Sequence, residues 1–253
     1  MNDFQRKDLA VVILAAGKGK RMKDPTKAKV MFEISGQPML GYVLETVFEL
    51  KPKKIILVVG NKKDDVIEYA TTFNMPNLEF SEQLEQLGTG HAVEQTRANL
   101  LDFNGDVLIL AGDVPLLNVN TLKQFIVEHN KTDADLTDLT AITRDPFGYG
   151  RIVRDEYGNF IKIVEEKDAN DNEKLIKEIN SGTFLIDSKH LFDALSKVKN
   201  NNAQEEYYLT DLVAIMKNEG LKVIAFPGAS FDELQGVNST DDLKKVQEYF
   251  DRI

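Results

Sequence analysis

Val11-Val12-Ile13-Leu14-Ala15-Ala16-Gly17-Lys18-Gly19-Lys20-Arg21-Met22 is the stretch that decides the fold of this 253-residue chain. Its apolar start, residues 11–14, has no polar face, which is typical of a parallel strand covered on both sides. The glycines that follow allow a sharp turn and a close approach of a ligand to the backbone. Successive backbone N–H groups after a buried strand form an anion nest, to which the two lysines and the arginine add charge. The stretch predicts a loop that binds several phosphates, with a basic surface turn as the alternative.

Two common glycine motifs do not match this loop. It lacks the third glycine of the dinucleotide fingerprint and the G-x-x-x-x-G-K-[ST] spacing of a P-loop. A nicotinamide-dependent dehydrogenase is disfavoured further, because Val58-Val59-Gly60-Asn61 has no acidic residue at the end of the second strand.

Composition places the chain among ordinary globular proteins, with 42% hydrophobic and 28% charged residues. A net charge of −10 argues against non-specific binding to nucleic acid or to an anionic membrane. The absence of cysteine excludes disulfides, thiolate catalysis and cysteine-bound zinc, and the three histidines are scattered. No apolar run approaches the ~20 residues of a membrane span, and the polar residues 1–7 precede no signal-peptide core. We therefore expect a cytoplasmic protein.

Apolar runs and helical patterns alternate along the chain. The predicted strands are residues 10–14, 54–59, 107–111, 138–143, 183–187 and 222–227. The predicted helices are residues 39–50, 63–73, 89–101, 120–130, 188–197, 209–219 and 240–250. This alternation predicts an α/β fold with a doubly wound, mostly parallel sheet, Rossmann-like in its layout. Ligands of such sheets lie beyond the carboxyl ends of the strands, so residues 15–22 and 112–113 are expected at one edge.

The alternation weakens after about residue 147. Residues 150–154 and 159–165 are predicted to form a hairpin around Tyr157-Gly158-Asn159. We interpret this region as a small antiparallel insertion that faces the same cleft. The whole chain, residues 1–253, is therefore predicted to be one domain.

Asp113 is the best catalytic candidate. It follows the buried strand 107–111 in Gly112-Asp113-Val114-Pro115-Leu116 and would face the phosphate loop. Mg²⁺ prefers one or two carboxylates together with phosphates and water, so a metal role is favoured over a simple turn cap before Pro115.

A second polar segment, residues 83–92, reads Gln-Leu-Glu-Gln-Leu-Gly-Thr-Gly-His-Ala. The amides of Gln83 and Gln86 donate and accept, which suits the edge of a base. Thr89 is predicted to cap the next helix, whose N–H groups would bind an oxygen-rich ligand. The alternative is a plain helix cap beside two solvated glutamines. Weaker signals, each also compatible with a turn, are Gly148-Tyr149-Gly150-Arg151, Glu165-Glu166-Lys167, Asn180-Ser181-Gly182 and Gly236-Val237-Asn238.

Taken in order, these segments resemble the sugar-1-phosphate nucleotidylyltransferases over almost the whole chain. Within that family the chain is similar to the uridylyltransferase domain of the bifunctional bacterial enzymes that use N-acetylglucosamine-1-phosphate. Residues 83–92 and 200–211, the latter Asn-Asn-Asn-Ala-Gln-Glu-Glu-Tyr-Tyr-Leu-Thr-Asp, carry that closer resemblance.

The resemblance implies transfer of UMP from UTP to N-acetylglucosamine-1-phosphate, with release of pyrophosphate. It implies a nucleotide-binding part at about residues 8–115 and a sugar-binding part at about residues 116–240. The implied catalytic residues are Arg21, Lys29 and Asp113, and Asp113 and Asn238 would ligate Mg²⁺. The implied nucleotide-binding residues are Leu14, Ala15, Ala16, Gly17, Lys18, Gln83, Gln86, Gly88 and Thr89. The implied sugar-binding residues are Gly150, Glu165, Asn180 and Thr210.

Three departures from the family pattern matter. Ala28-Lys29-Val30 stands where Pro-Lys-Val is usual, so Lys27 competes with Lys29 for the second basic role. Lys20 stands where threonine or serine is common. The sequence ends at Ile253, without the left-handed β-helix acetyltransferase domain of the bifunctional enzymes, so we expect a monomer or weak dimer. Two alternatives stay open: another sugar-1-phosphate such as glucose-1-phosphate, or a nucleotide-binding module without turnover.

Overall fold

The computed structural model describes residues 7–251, which form a nine-stranded mixed sheet with helices on both faces and a separate two-stranded sheet. Residues 1–6, which hold most of the polar start, and residues 252–253 lie outside the described residues. The strands are β1 (Leu9–Leu14), β2 (Glu33–Ile34), β3 (Gln37–Pro38), β4 (Lys54–Val59), β5 (Leu78–Glu82), β6 (Asp106–Ala111), β7 (Leu136–Ile142), β8 (Arg151–Arg154), β9 (Phe160–Val164), β10 (Glu178–Asp187) and β11 (Val223–Phe226). The helices are α1 (Met39–Leu50), α2 (Lys63–Thr71), α3 (Thr89–Glu94), α4 (Val119–Thr132), α5 (Asp171–Lys174), α6 (Ser188–Leu195), α7 (Asp211–Asn218) and α8 (Thr240–Phe250).

The main sheet runs in the order β5-β4-β1-β6-β10-β7-β11. Strand β1 pairs in parallel with β4 and β6, β4 with β5, and β7 with β11. The predicted mostly parallel α/β sheet is confirmed. Strand β10 alone runs antiparallel to its two main-sheet neighbours, β6 and β7. The chain between β7 and β10 holds only the β8–β9 hairpin and the four-residue α5, too little helix for a parallel crossover.

Side chains of β1 alternate between two cores, which explains why its sequence is apolar throughout. Val11 and Ile13 pack with helices α1, α2 and α4 on one face, whereas Ala10 and Val12 pack with α3, α6 and α7 on the other. The predicted β8–β9 hairpin is present and joins the sheet through β10, to which β8 pairs at Arg151 and Ile179. Among residues 7–251, no helix is both long and apolar enough for a membrane span.

A third, smaller core lies beside the glycine loop. Its buried residues are Met22, Ile34, Met39, Val237 and Val246. Met22 ends the glycine loop and Val237 precedes Asn238, so helix α8 and the β2–β3 hairpin support two separate parts of the predicted site.

One strand of the main sheet was not predicted, and two predicted bounds differ from the structure by more than two residues. Strand β5 was not predicted, because its residues are mostly half-buried at the sheet edge. Helix α3 stops at Glu94 rather than at residue 101, and the Thr96 hydroxyl donates to the carbonyl of Val93 just beyond it. Strand β10 starts five residues early and includes Asn180-Ser181-Gly182, where its register against β7 shifts.

Candidate active site

The glycine loop begins where β1 ends. Leu14 is half-buried and Ala15 and Ala16 are buried, whereas Gly17 has open space around it. Gly19 adopts a φ of +59°, and a Cβ there would lie 2.9 Å from the Cβ of Lys29. Glycine at this position therefore lets the loop approach the segment that carries Lys29.

Three basic side chains of this loop are exposed and have no partner among the described residues. Lys18, Lys20 and Arg21 make no hydrogen bond or ion pair with any residue between 7 and 251. Cations held on one turn without an acidic partner remain available to an anionic ligand. Phosphate binding by this loop stays a prediction.

Lys29 joins the two residues that were predicted to bind metal. Its ammonium forms an ion pair with the Asp113 carboxylate and donates to Oδ1 of Asn238 at 2.8 Å. The Lys29 and Asp113 side chains are each only 16% exposed. Lys27 instead pairs with Glu33 at 2.9 Å on the surface. The structure thus places Lys29, and not its competitor, beside Asp113.

Backbone contacts bring Asp113 and Asn238 together. Gly112 donates to the carbonyl of Leu14 at 3.0 Å, which sets Asp113 beside the start of the glycine loop. Val237 donates to the carbonyl of Asp113 at 2.9 Å, so Asn238 follows immediately. The N–H of Asn238 in turn donates to Asp242 at 3.1 Å, a contact that sequence reasoning missed.

The donor set at this point fits a hard divalent cation. Oxygens of Asp113 and Asn238 both contact the Lys29 ammonium, so the two side chains lie within reach of one cation. The part of the chain from 7 to 251 holds no group of three or more His, Cys, Asp or Glu side chains suited to a metal. Asp113 and Asn238 would thus supply two oxygen ligands to such a cation and leave the rest of its shell to other oxygens.

Gln83 lies beside the glycine loop because both pack closely against Gly60. A Cβ on Gly60 would be 2.9 Å both from the Ala16 Cβ and from the Gln83 carbonyl oxygen. The Gln83 amide nitrogen donates to the carbonyl of Gly88 at 3.1 Å. Gln86 donates to the carbonyl of Gln83 at 3.1 Å. Both glutamines are thus ordered by the protein rather than left in solvent.

Helix α3 begins differently from the prediction. Gly88 is its N-cap, without a side-chain cap, and the predicted Thr89 cap is wrong. The Thr89 hydroxyl instead accepts from the N–H of Leu209 at 3.1 Å, because the segment around Tyr207 pairs with this turn. Tyr207 donates to Leu87 and accepts from Gly90, each at 2.8 Å. These bonds tie the predicted nucleotide-binding segment to the segment that carries Thr210.

The four predicted sugar-binding residues lie together. Thr210 donates to Glu165 at 2.9 Å, and Asn180 donates through its backbone N–H to Gly150 at 2.9 Å. A Cβ on Gly150 would lie 3.5 Å from Glu165 Oε2 and from the Asn180 Cβ. Burial raises the pKa of Glu165, and the Thr210 hydrogen bond only partly opposes that rise.

A cavity of about 320 Å³ opens beside Glu165 and is also lined by Asp168, Tyr208 and Asp211. The Tyr208 hydroxyl accepts from Gln204 at 2.9 Å and donates to Asp168 at 3.2 Å. Burial, above all, raises the pKa of Tyr208 to about 12. Sequence reasoning assigned no role to Tyr208, although it lies inside the quoted segment 200–211.

Tyr149 is a partly buried tyrosine next to the predicted sugar-binding residues. It precedes Gly150, and burial followed by the charge of Asp242 raises its pKa. The backbone of Gly236 opposes that rise, and Asp113 adds to it. The Tyr149 ring packs edge-on against Phe231, with 5.6 Å between the ring centroids. An aromatic residue between two glycines was the available signal for it.

Comparisons with known proteins identify the family of this chain. The family described as nucleotidyl transferase matches residues 10–232. The bifunctional protein GlmU of Bacillus cereus (strain G9842) is 45% identical over 236 residues, which cover 93% of this chain and 50% of that protein. The bifunctional protein GlmU of Bacillus mycoides (strain KBAB4) gives the same figures. The chain thus spans about half the length of the curated relatives it matches.

Solved structures of UDP-glucose pyrophosphorylase share the fold. One in complex with UDP-glucose gives a TM-score of 0.75 at 18% identity, covering 97% of this chain and 99% of that one. An apo structure gives a TM-score of 0.78 at 18% identity, covering 97% and 100%. At this identity the likeness supports the fold alone.

Proposed function

Because this chain belongs to the nucleotidyl transferase family, we propose that it transfers UMP from UTP to N-acetylglucosamine-1-phosphate, releasing pyrophosphate. The observation that carries the proposal is the meeting of Lys29, Asp113 and Asn238 beside a glycine loop with three uncommitted cations. The choice of sugar is supported by the resemblance of residues 200–211 and by the relatives named GlmU.

Each group of residues has a proposed task. The loop from Leu14 to Lys18 binds the UTP phosphates, and Gln83, Gln86, Gly88 and Thr89 hold the nucleoside. Gly150, Glu165, Asn180 and Thr210 hold the amino sugar. Asp113 and Asn238 are the proposed ligands of a divalent cation, for which we propose Mg²⁺.

The reaction needs positioning and charge neutralisation rather than a protein nucleophile. A phosphate oxygen of the sugar phosphate attacks the α-phosphorus of UTP in line, and the bond to pyrophosphate breaks on the opposite side. A phosphate monoester is already largely ionised at pH 7, so no general base is required. Arg21 and Lys29 offset the repulsion between the two anions and stabilise charge at the transferring phosphorus. Mg²⁺, when bound, supplies further neutralisation at the phosphate oxygens.

The test is pyrophosphate release from UTP, Mg²⁺ and a panel of sugar-1-phosphates that includes glucose-1-phosphate. We expect release with N-acetylglucosamine-1-phosphate, its loss in Asp113→Ala, and its retention in Asp102→Ala. Asp102 is the control because it is exposed and precedes β6, whereas Asp113 follows that strand. Release with another sugar only would change the proposed substrate. No release with any sugar or nucleotide would refute the enzyme function and favour a silent nucleotide-binding module.

The setting of this activity is also a proposal. UTP is a cytoplasmic metabolite, so we propose a cytoplasmic enzyme that acts on small molecules, without nucleic-acid or membrane partners. We further propose a monomer or weak dimer, which sedimentation at several protein concentrations would test.

A further inference from the structure

The side chain of Gln83 is held in one orientation. It is 3% exposed, and its amide nitrogen lies 3.1 Å from the Gly88 carbonyl and 3.1 Å from Nδ1 of His91. Because a carbonyl oxygen can only accept, the contact with Gly88 defines which end of the amide is the nitrogen. The amide oxygen accepts no hydrogen bond from residues 7–251. It retains some contact with solvent, so a ligand can reach it.

His91 touches two glutamine amides. Its Nδ1 faces Gln83, and its Nε2 lies 3.1 Å from the amide nitrogen of Gln95, which also donates to the His91 carbonyl at 3.0 Å. A neutral imidazole has one nitrogen that accepts and one that donates. Only one of the two amides can therefore keep its nitrogen towards the ring.

The two amides differ in the cost of turning. Gln95 is half-buried, so water can replace a bond that it loses. Turning the buried Gln83 would set its oxygen against the Gly88 carbonyl and leave two acceptors facing each other. The favoured ring therefore accepts at Nδ1 from Gln83 and carries its proton on Nε2.

We propose that His91 is a positioning residue that directs the Gln83 amide oxygen into the nucleotide cleft and thereby selects uracil over cytosine. Uracil presents an N–H at position 3, which an acceptor recognises. Cytosine presents a lone pair at the same position, which an acceptor repels. The backbone carbonyl of Gln83 and the Cβ of Ala16 both lie against Gly60, so Gln83 stands beside the glycine loop and the proposed phosphate site.

This inference rests on the proposed uridylyl transfer and sharpens it. His91 does not touch the nucleobase, but it sets the orientation of Gln83, which does. Sites that hydrogen-bond a polar group of a substrate discriminate strongly against analogues that cannot supply it.

The experiment compares His91→Leu, which has no acceptor, with His91→Asn, whose Oδ1 takes the place of Nδ1. Gln95→Leu is the matched control, since it removes only the neighbour of Nε2. The readout is the ratio of kcat/KM for UTP to kcat/KM for CTP with the same sugar phosphate. Equilibrium binding of UTP and CTP is measured in parallel without sugar.

We expect His91→Leu to lower the UTP/CTP ratio by about 10- to 100-fold, chiefly through the nucleotide KM. His91→Asn and Gln95→Leu should keep the ratio within about 3-fold. If His91→Leu does not fold, His91→Gln replaces it, because its longer side chain moves the acceptor away from the Nδ1 position.

An unchanged UTP/CTP ratio in the folded acceptor-free variant would overturn the inference, as would an equal loss in Gln95→Leu. Failure of the proposed function is distinguishable from both. In that case the wild type releases no pyrophosphate, while its preference for binding UTP over CTP still reports on His91.

Discussion

Replacing Lys29 with methionine removes one ammonium from the point where Asp113 and Asn238 meet. The side chain keeps its length and loses its charge, so packing changes little. The matched variant is Lys27→Met, which removes an ammonium two residues away that pairs with Glu33 on the surface.

The structure indicates different magnitudes for stability and for activity. At an ordinary contact distance of about 2.8 Å, an ion pair in an effective dielectric of about 20 is worth roughly 6 kcal/mol before desolvation. Desolvation offsets most of that, so Lys29→Met should lower the free energy of unfolding by about 1–3 kcal/mol. A domain stable by about 5–15 kcal/mol remains folded after such a loss. The barrier should rise more, by about 2.7–4 kcal/mol, because a cation at developing charge is worth about 10²- to 10³-fold in rate.

The assay measures kcat and KM by pyrophosphate release, together with urea unfolding of each variant. Lys27→Met should stay within about 2-fold of the wild-type rate and within about 1 kcal/mol of its stability, because its partner is exposed. Equal damage from the two substitutions, or a Lys29→Met enzyme with near-normal turnover, would refute the reasoning.

Three further predictions concern the fold and the metal. Gly88→Ala should lower the free energy of unfolding in urea by about 2–4 kcal/mol, because the φ of Gly88 is +113° and a Cβ would lie 2.6 Å from the Tyr207 carbonyl oxygen. The control Gly158→Ala, with a φ of +83° and open space around it, should lower that free energy by only about 1–2 kcal/mol. Equal losses in the two variants would contradict this prediction. Burial, followed by the charges of Glu178 and Glu165, raises the pKa of Asp138 well above 3.8. The protonated form is therefore favoured in the folded state, and stability is lost as pH rises from about 4 towards that raised pKa. Asp138→Asn should flatten this decline of the free energy of unfolding as pH rises above about 4. An equal decline with pH in both proteins would contradict the prediction. Chelation with EDTA should abolish pyrophosphate release without lowering the melting temperature, since one carboxylate and one amide do not hold the fold together; turnover that persists in EDTA would sink the metal role.

The fold was predictable where burial leaves a simple pattern. Helices α1 and α8 and strand β4 begin and end at the predicted residues, because their apolar positions match one helical face or a strand covered on both sides. Strand β5 was missed because an edge strand is only half-buried. The early end of α3 depends on a Thr96 hydroxyl that bonds to the backbone, a choice that periodicity does not encode.

The site was predictable to the extent that strand ends determine it. The rule about carboxyl ends of parallel strands brought the glycine loop and Asp113 to one edge, and β1 and β6 are indeed adjacent and parallel. Asn238 follows no strand and lies 209 residues from Lys29. The segment 236–238 was only a weak signal in the sequence, and the family resemblance alone indicated a metal role for Asn238. The contact between Val237 and Asp113 is made by backbone atoms that any residue has.

The orientation of Gln83 shows why the sequence alone does not predict which nucleobase edge this residue binds. A glutamine amide offers a donor and an acceptor of nearly the same shape, so the residue at position 83 is compatible with opposite base edges. The orientation of the Gln83 amide is set by its contacts with the Gly88 carbonyl and with the ring of His91. The direction of that carbonyl follows from the φ of Gly88, +113°, which L side chains rarely adopt. If His91 positions Gln83 as proposed, the Gly88 carbonyl and the His91 ring together set which base edge the Gln83 amide recognises. Gly88→Ala should therefore weaken the preference for UTP over CTP as well as the fold, a link between backbone geometry and specificity that exists only in three dimensions.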